Sequence, residues 1–194
     1  MQQAYCERIF SDLPVLETPR LRLRPLTMHD AQDLYRYASD PEVSRHVLWE
    51  THESIRDSRR MLRGALRQYR RGEPSSFAVE RRSDRRMIGT IGFMWVNLEH
   101  RSGEVGYSFA RDCWGQGYAT EALKAVLRFG FDTLRLHRIE AQHEVDNPAS
   151  GRVMEKCGMQ CEGVLRGRVF NKGRFSDVKL YAILRESDTS DNDK

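Results

Sequence analysis

The stretch CWGQGYATEA, residues 113–122, sets Gly115, Gly117 and Ala119 on alternating positions just ahead of an apolar helical stripe. Without a Cβ, successive backbone N–H groups can turn toward one point, and a helix N-terminus adds partial positive charge there. The chemistry this suits is the binding of a phosphate or pyrophosphate. A nucleoside-triphosphate loop is excluded, because no GxxxxGK[ST] occurs and the lysine and hydroxyl it needs are missing. A dinucleotide fingerprint fits poorly too, since Thr120 stands where the third glycine belongs. The alternative is a glycine turn that only closes a helix onto a sheet. A second group is cationic: Arg56, Arg59, Arg60, Arg63, Arg67 and Arg70 share the outer face of an expected helix. Such a face could neutralise nucleic-acid phosphates. Glu53 and Asp57 interrupt it, however, and no aromatic is interleaved, so the pattern reads as a solvated face.

These residues need elements to hold them. Leu21, Leu23 and Leu26 alternate with arginines as a first strand would, and Thr27–Asp30 forms a capping box for a short helix that Pro41 is expected to close. Ile55, Leu62, Leu66 and Tyr69 give a helix over 53–71 its inner face. Phe77–Glu80, Met87–Val96 and Glu104–Ala110 read as three meandering strands. After the glycine stretch, Ala119, Ala122, Leu123, Val126, Leu127 and Phe131 form a helical stripe, followed by a strand near 138–145. Asn147-Pro148 starts another helix that Gly158 ends, and Asn171-Lys172-Gly173 joins two last strands over 160–170 and 174–184.

The bounds are those of an ordinary folded domain. A chain of 194 residues can bury a sizeable core, and a net charge of +4 does not by itself announce a nucleic-acid partner. With no apolar leader and no run of membrane-spanning length, a cytoplasmic protein that does not associate with membranes is expected. Cys6, Cys113, Cys157 and Cys161 have neither CxxC nor metal-like spacing, so buried or half-buried thiols are expected rather than disulfides or zinc.

The loop Trp114-Gly-Gln-Gly-Tyr-Ala119 resembles the acyl-CoA loop of the GNAT N-acetyltransferase superfamily, in the form used by its RimJ/RimL-like branch. DPEVSRHV (40–47), GTIGF (89–93), EVGYSF (104–109) and NPASGRVMEKCGM (147–159) add matches in the family's order, so that the likeness covers roughly residues 15 to 185. The resemblance implies an α/β fold with a mixed, mostly antiparallel sheet of six to seven strands and helices on both faces. The sheet would splay between its fourth and fifth strands, 104–110 and 138–145, with a bulge making the splay. The domain would run over 15–186, after an N-terminal extension at 1–14 and before a polar, flexible tail at 187–194.

The same resemblance implies acetyl-CoA as cosubstrate, no metal, and direct acetyl transfer to a primary amine. Trp114, Gly115, Gln116, Gly117, Tyr118, Ala119 and Thr120 would cradle the pyrophosphate, and Asn147 would contact the pantetheine arm besides capping its helix. The tyrosine acid that many relatives carry four residues after Ser150 is replaced by Met154, and in the RimL-like pattern the Ser150 hydroxyl serves instead. The family's strand glutamate matches Glu104, expected to act as base through water, with Asp177 and His143 as alternatives. The late-strand glutamate of some relatives falls near Val169 and is missing. The expected acceptor is a protein or peptide N-terminal α-amine, as in a ribosomal protein, and the enzyme a monomer or homodimer. A small amine such as an antibiotic, polyamine or amino acid is the alternative, as is a non-catalytic CoA- or nucleic-acid-binding module.

Overall fold

The computed structural model describes residues 2–185. Eight strands form one sheet in the order β1-β2-β3-β4-β5-β6-β8-β7. They are β1 (Leu16–Glu17), β2 (Leu21–Pro25), β3 (Ser76–Arg81), β4 (Met87–Asn97), β5 (Ser102–Phe109), β6 (Arg138–Glu144), β7 (Gln160–Asn171) and β8 (Arg174–Leu184). Every neighbouring pair is antiparallel except β5 with β6. The strand beyond the expected six to seven is β1, whose two residues are too short to leave an alternation in the sequence. In the middle of the sheet Phe77, Ala78 and Val79 are all fully buried in succession. Side chains of consecutive strand residues point to opposite faces, so both faces are covered.

Six helices do the covering: α1 (Gln2–Ser11), α2 (Ala31–Ala38), α3 (Pro41–Ser44), α4 (Ile55–Arg71), α5 (Tyr118–Arg128) and α6 (Pro148–Lys156). The Thr27–Asp30 capping box is present, but it opens a single 3-10 turn that leads into α2. Pro41 does not close that helix. It occupies the first turn of α3, where a missing N–H costs nothing, and Asp40 caps it. The sequence gives no periodic signal for α1, yet Cys6, Phe10 and the following Leu13 are buried. α1 packs against the left-handed Gly72 that ends α4, where a Cβ would stand 2.5 Å from the Glu7 carbonyl oxygen. α5 runs on into a π turn over Phe129–Thr133, whose Phe129 ring meets Phe77 edge-on.

The sheet opens where its one parallel pair gives out. β5 and β6 pair only at Ser102–Arg138, Gly103–Ile139 and Glu104–Glu140, and beyond Glu104 the two strands part. A bulge sits beside this point, as expected, and it lies on β4: the register slips between Phe93 and Trp95 opposite Glu104 and Val105. None of the four cysteines is in a disulfide. Cys6, Cys113 and Cys157 are buried, whereas Cys161 on the outer strand β7 is exposed, against expectation. No helix among the described residues is long and apolar enough to cross a membrane. The tail at 187–194 lies outside the described residues.

Candidate active site

Two cavities meet in the gap between β5 and β6. The smaller, about 340 Å³, is lined by Trp114, Gly115, Gly117, Tyr118, Ala119 and Thr120 on one side and by α6 on the other. The larger, about 570 Å³, reaches from Glu104 to the C-terminal half of α4. His46, Val47, Tyr107, Ser108, Asn147 and Ser150 line both, so the cavities share a wall at the mouth of α6.

The glycine stretch forms an open cradle. Gly115 and Gly117 have φ of +74° and +80°, a left-handed region costly for other residues. A Cβ on Gly115 would meet no atom within 4 Å, so the space beside it is free. Gly117 stands at the N-cap of α5 with no side chain capping it, which leaves the first-turn N–H groups without side-chain partners. Gln116 does not line the cavity. Its amide donates to the Asp112 carbonyl at 2.7 Å and braces the loop from behind. The Trp114 indole, which does line the cavity, donates to the Phe109 carbonyl at 2.9 Å. Arg20, which the sequence did not single out, donates to the Gln116 carbonyl and to Glu121, with its guanidinium 4.5 Å from the centre of the Tyr118 ring. Arg152 and Lys156, on the α6 wall, add positive charge to the cavity.

At the shared wall, Asn147 caps α6, its side-chain oxygen accepting from the Ser150 N–H at 3.4 Å. The Ser150 hydroxyl lies 2.9 Å from the Tyr107 hydroxyl, which also reaches the Ser150 carbonyl at 3.1 Å. Burial pushes the Tyr107 pKa well above the usual phenol value, so it remains a neutral donor. Tyr107 leaves no signature in the sequence beyond an aromatic in a strand, because the pairing with Ser150 spans 43 residues.

Glu104 lines the larger cavity and accepts from two neutral donors, the Trp95 indole at 2.8 Å and the Gln142 amide at 2.9 Å. Each carboxylate oxygen therefore keeps a lone pair for a further partner. His143 also borders this cavity, but its ring is buried against Tyr181. Its Nδ1 donates to the Glu144 carbonyl, and its Nε2 has no partner among the described residues. Burial lowers its pKa and keeps it neutral. Asp177 lines neither cavity. It accepts from the Gly167 N–H at 2.7 Å and holds the irregular part of β7. Val169 does reach the larger cavity, so that position of the wall is apolar.

A carboxylate that the sequence reading passed over, Glu144, is buried here. Burial would raise its pKa, yet hydrogen bonds from His46 and Asn171 outweigh that and lower it. His46 Nδ1 lies 2.8 Å away, and Arg174 bridges Glu144 and Asp146 at 3.4 and 3.5 Å. Fully engaged, Glu144 ties the α3 end, β6 and the β7–β8 hairpin around the gap.

A splayed sheet with an uncapped glycine cradle is also a recognisable family geometry, and residues 20–160 match the acetyltransferase (GNAT) domain. The chain belongs to the GNAT acetyltransferase family. This GNAT enzyme is 39% identical over 174 residues to the uncharacterized N-acetyltransferase YoaA of Bacillus subtilis (strain 168), covering 89% of this chain and 97% of that one. Two of its relatives carry names with different acceptors. A ribosomal-protein-serine acetyltransferase of Escherichia coli (strain K12) is 29% identical over 70% of this chain and 74% of its own. A spermidine N(1)-acetyltransferase of Vibrio cholerae is 27% identical over 86% of this chain and 94% of its own. Among solved structures, a GNAT-family acetyltransferase from Bacillus anthracis superposes with a TM-score of 0.79 at 29% identity, covering 88% of this chain and 98% of that one. Mycobacterium smegmatis RimJ in complex with CoA-disulfide does so at 0.78 and 27%, covering 89% and 87%.

Proposed function

We propose that this GNAT enzyme takes the acetyl group of acetyl-CoA and transfers it to the N-terminal α-amine of a protein or peptide, in the cytoplasm. The observation that carries the reading is the meeting of the two cavities at Ser150: an anion cradle opens on one side of it and a carboxylate stands on the other. Acetyl-CoA supplies an activated acetyl thioester and a pyrophosphate to hold it by. The open amides at Gly115, Gly117, Tyr118, Ala119 and Thr120, with Arg152 and Lys156 opposite, fit a pyrophosphate. Trp114 and Gln116 brace the cradle, and the free amide N–H₂ of Asn147 faces the arm. Strand edges left unpaired beyond Glu104 offer the arm backbone partners.

The new C–N bond takes the nitrogen lone pair of a neutral amine, and the pair of the broken C–S bond leaves on sulfur. Glu104 removes the proton that the amine must lose, through a water held on its free lone pair. Ser150 donates a hydrogen bond to the departing sulfur, and the proton taken by Glu104 returns through water to the CoA thiolate, so that the carboxylate and the hydroxyl both end as they began. Tyr107 is a positioning residue in this step: when its proton lies on Ser150 Oγ, the serine proton is free to point into the cleft. One carboxylate acting through water is a modest apparatus for taking a proton, which suits an acceptor that is already partly neutral. An α-amine with pKa near 8 is roughly one-tenth neutral at pH 7, a lysine amine about one part in two thousand.

The test measures free CoA thiol release with peptides that contain lysine and carry free or blocked N-termini. Blocking should abolish turnover, and acetylation that survives it refutes the α-amine assignment. Glu104→Gln should cost on the order of ten- to a thousandfold at neutral pH, with the deficit shrinking toward the amine's pKa. A deficit of constant size at every pH would make Glu104 a binding group for a cationic amine.

A further inference from the structure

The arginine face of α4 is not remote from the chemistry. The inner side of the helix, with Leu62, Ala65 and Tyr69, is buried in the core. Its C-terminal half nonetheless walls the larger cavity through Met61, Gly64, Arg67, Gln68 and Arg71. Gly64 leaves the wall low there, and the Arg67 guanidinium folds over it, Nη2 lying 3.9 Å from where a Cβ of Gly64 would be. Arg67 and Arg63 make no ion pair among the described residues. Arg71 has only Glu73 at 3.6 Å, both largely exposed, and Arg60 has Asp57 at 3.1 Å.

We propose that the acceptor carries acidic side chains in the residues that follow its N-terminal amine, and that Arg67 and Arg71 bind them at the rim of the cleft. The inference rests on the α-amine reading above and adds what the acceptor must look like. Within one cavity a carboxylate at Glu104 stands at one end, and at the rim stand Arg67, without an ion pair among the described residues, and Arg71, held only by the exposed Glu73, so the fitting acceptor has its amine at one end and negative charge at the other. A polyamine has the wrong polarity, because its second ammonium would meet Arg67. Arg56, Arg60, Arg63, Arg67 and Arg71 recur at helical spacing along one stripe. From Arg67 to Arg56 the stripe runs about 16 Å, the reach of about five extended residues, which favours a peptide over a small carboxylate. No aromatic side chain interrupts the stripe to stack bases, which argues against single-stranded nucleic acid.

The experiment uses the full chain, acetyl-CoA and peptides with one common N-terminal residue followed by five Glu, five Gln or five Arg. The kcat/KM should fall in that order, acidic above basic by tenfold or more at low salt, and the spread should narrow at high salt. Arg67→Gln should reduce the acidic-to-neutral ratio about fivefold, chiefly through KM. Arg67→Glu should shift preference toward the arginine peptide, a gain that a misfolded variant cannot give. Equal rates with all three peptides would overturn this inference while leaving the α-amine reading standing. Turnover of spermidine with none of the peptides would overturn both. Stronger competition by an RNA oligonucleotide than by an acetyl-blocked acidic peptide would assign the stripe to nucleic acid instead.

Discussion

The N-termini of α4 and α5 are built in opposite ways. α4 closes on itself: the Ser54 N–H and hydroxyl both reach the Asp57 carboxylate, at 3.0 and 3.1 Å, and the box is complete. α5 begins at a left-handed glycine with no side chain over its first turn. The dipole and the unpaired amides are the same at both. What differs is whether the chain supplies its own partner. A capped start contributes stability and offers nothing to a ligand. An open start sacrifices that stability and keeps its donors for an anion.

The variant that presses hardest on this contrast is Gly117→Val. It places a branched side chain at φ +80°, with the nearest atom, Arg20 Nη2, 3.4 Å from the new Cβ. Most of the thermal stabilisation by acetyl-CoA should vanish, a loss of about 2.7 kcal/mol at a hundredfold excess over Kd. An undiminished acetyl-CoA shift in a folded Gly117→Val protein would show that the two helix starts do not differ in function. Ser54→Ala should do the reverse, lowering Tm by about 2–4 °C while the shift produced by acetyl-CoA is kept. The smallest effect is one of pH. His52, buried near the start of α4, has its Nδ1 2.9 Å from the Ser58 hydroxyl, and burial lowers its pKa as it does that of His143. Below about pH 6.5 the unfolded chain binds protons that these folded histidines refuse, so stability is present above that pH and is lost as pH falls toward 5. His52→Gln should flatten this slope in melting curves taken between pH 7 and 5. An unchanged slope would remove His52 from the account.

The readable parts of the sequence were those in which local pattern and fold agree. Alternation found β2 and the meander, the 3.6-residue stripe found α4 and α5, and glycine spacing found the cradle. α1 escaped because its helix shows little amphipathic pattern and its burial depends on a tertiary neighbour, Gly72 of α4. Pro41 was misread as a stop because the same residue serves at the first turn of a new helix. At the site, Glu104, Ser150 and Asn147 were named in advance on family resemblance, and the fold brings all three to one cleft. Tyr107, Glu144 and His46 were not, since each acquires its meaning from a partner at least 43 residues away. Gln116 lies inside the motif yet outside the cavity, because a motif fixes a backbone path and not where each side chain turns.

The three residue pairs that join β5 to β6 also hold the sheet together from two parts. β3, β4 and β5 pair in succession with their sequence neighbours, β2 meets β3 across α2, α3 and α4, and β7 pairs with β8 through a two-residue turn. Ser102 to Glu104 meet Arg138 to Glu140 across α5, a short parallel seam between β1–β5 on one side and β6–β8 on the other. Among the described residues no other strand pairing joins the two parts, so the cleft exists only while these few main-chain bonds and the helices beside them keep the parts docked.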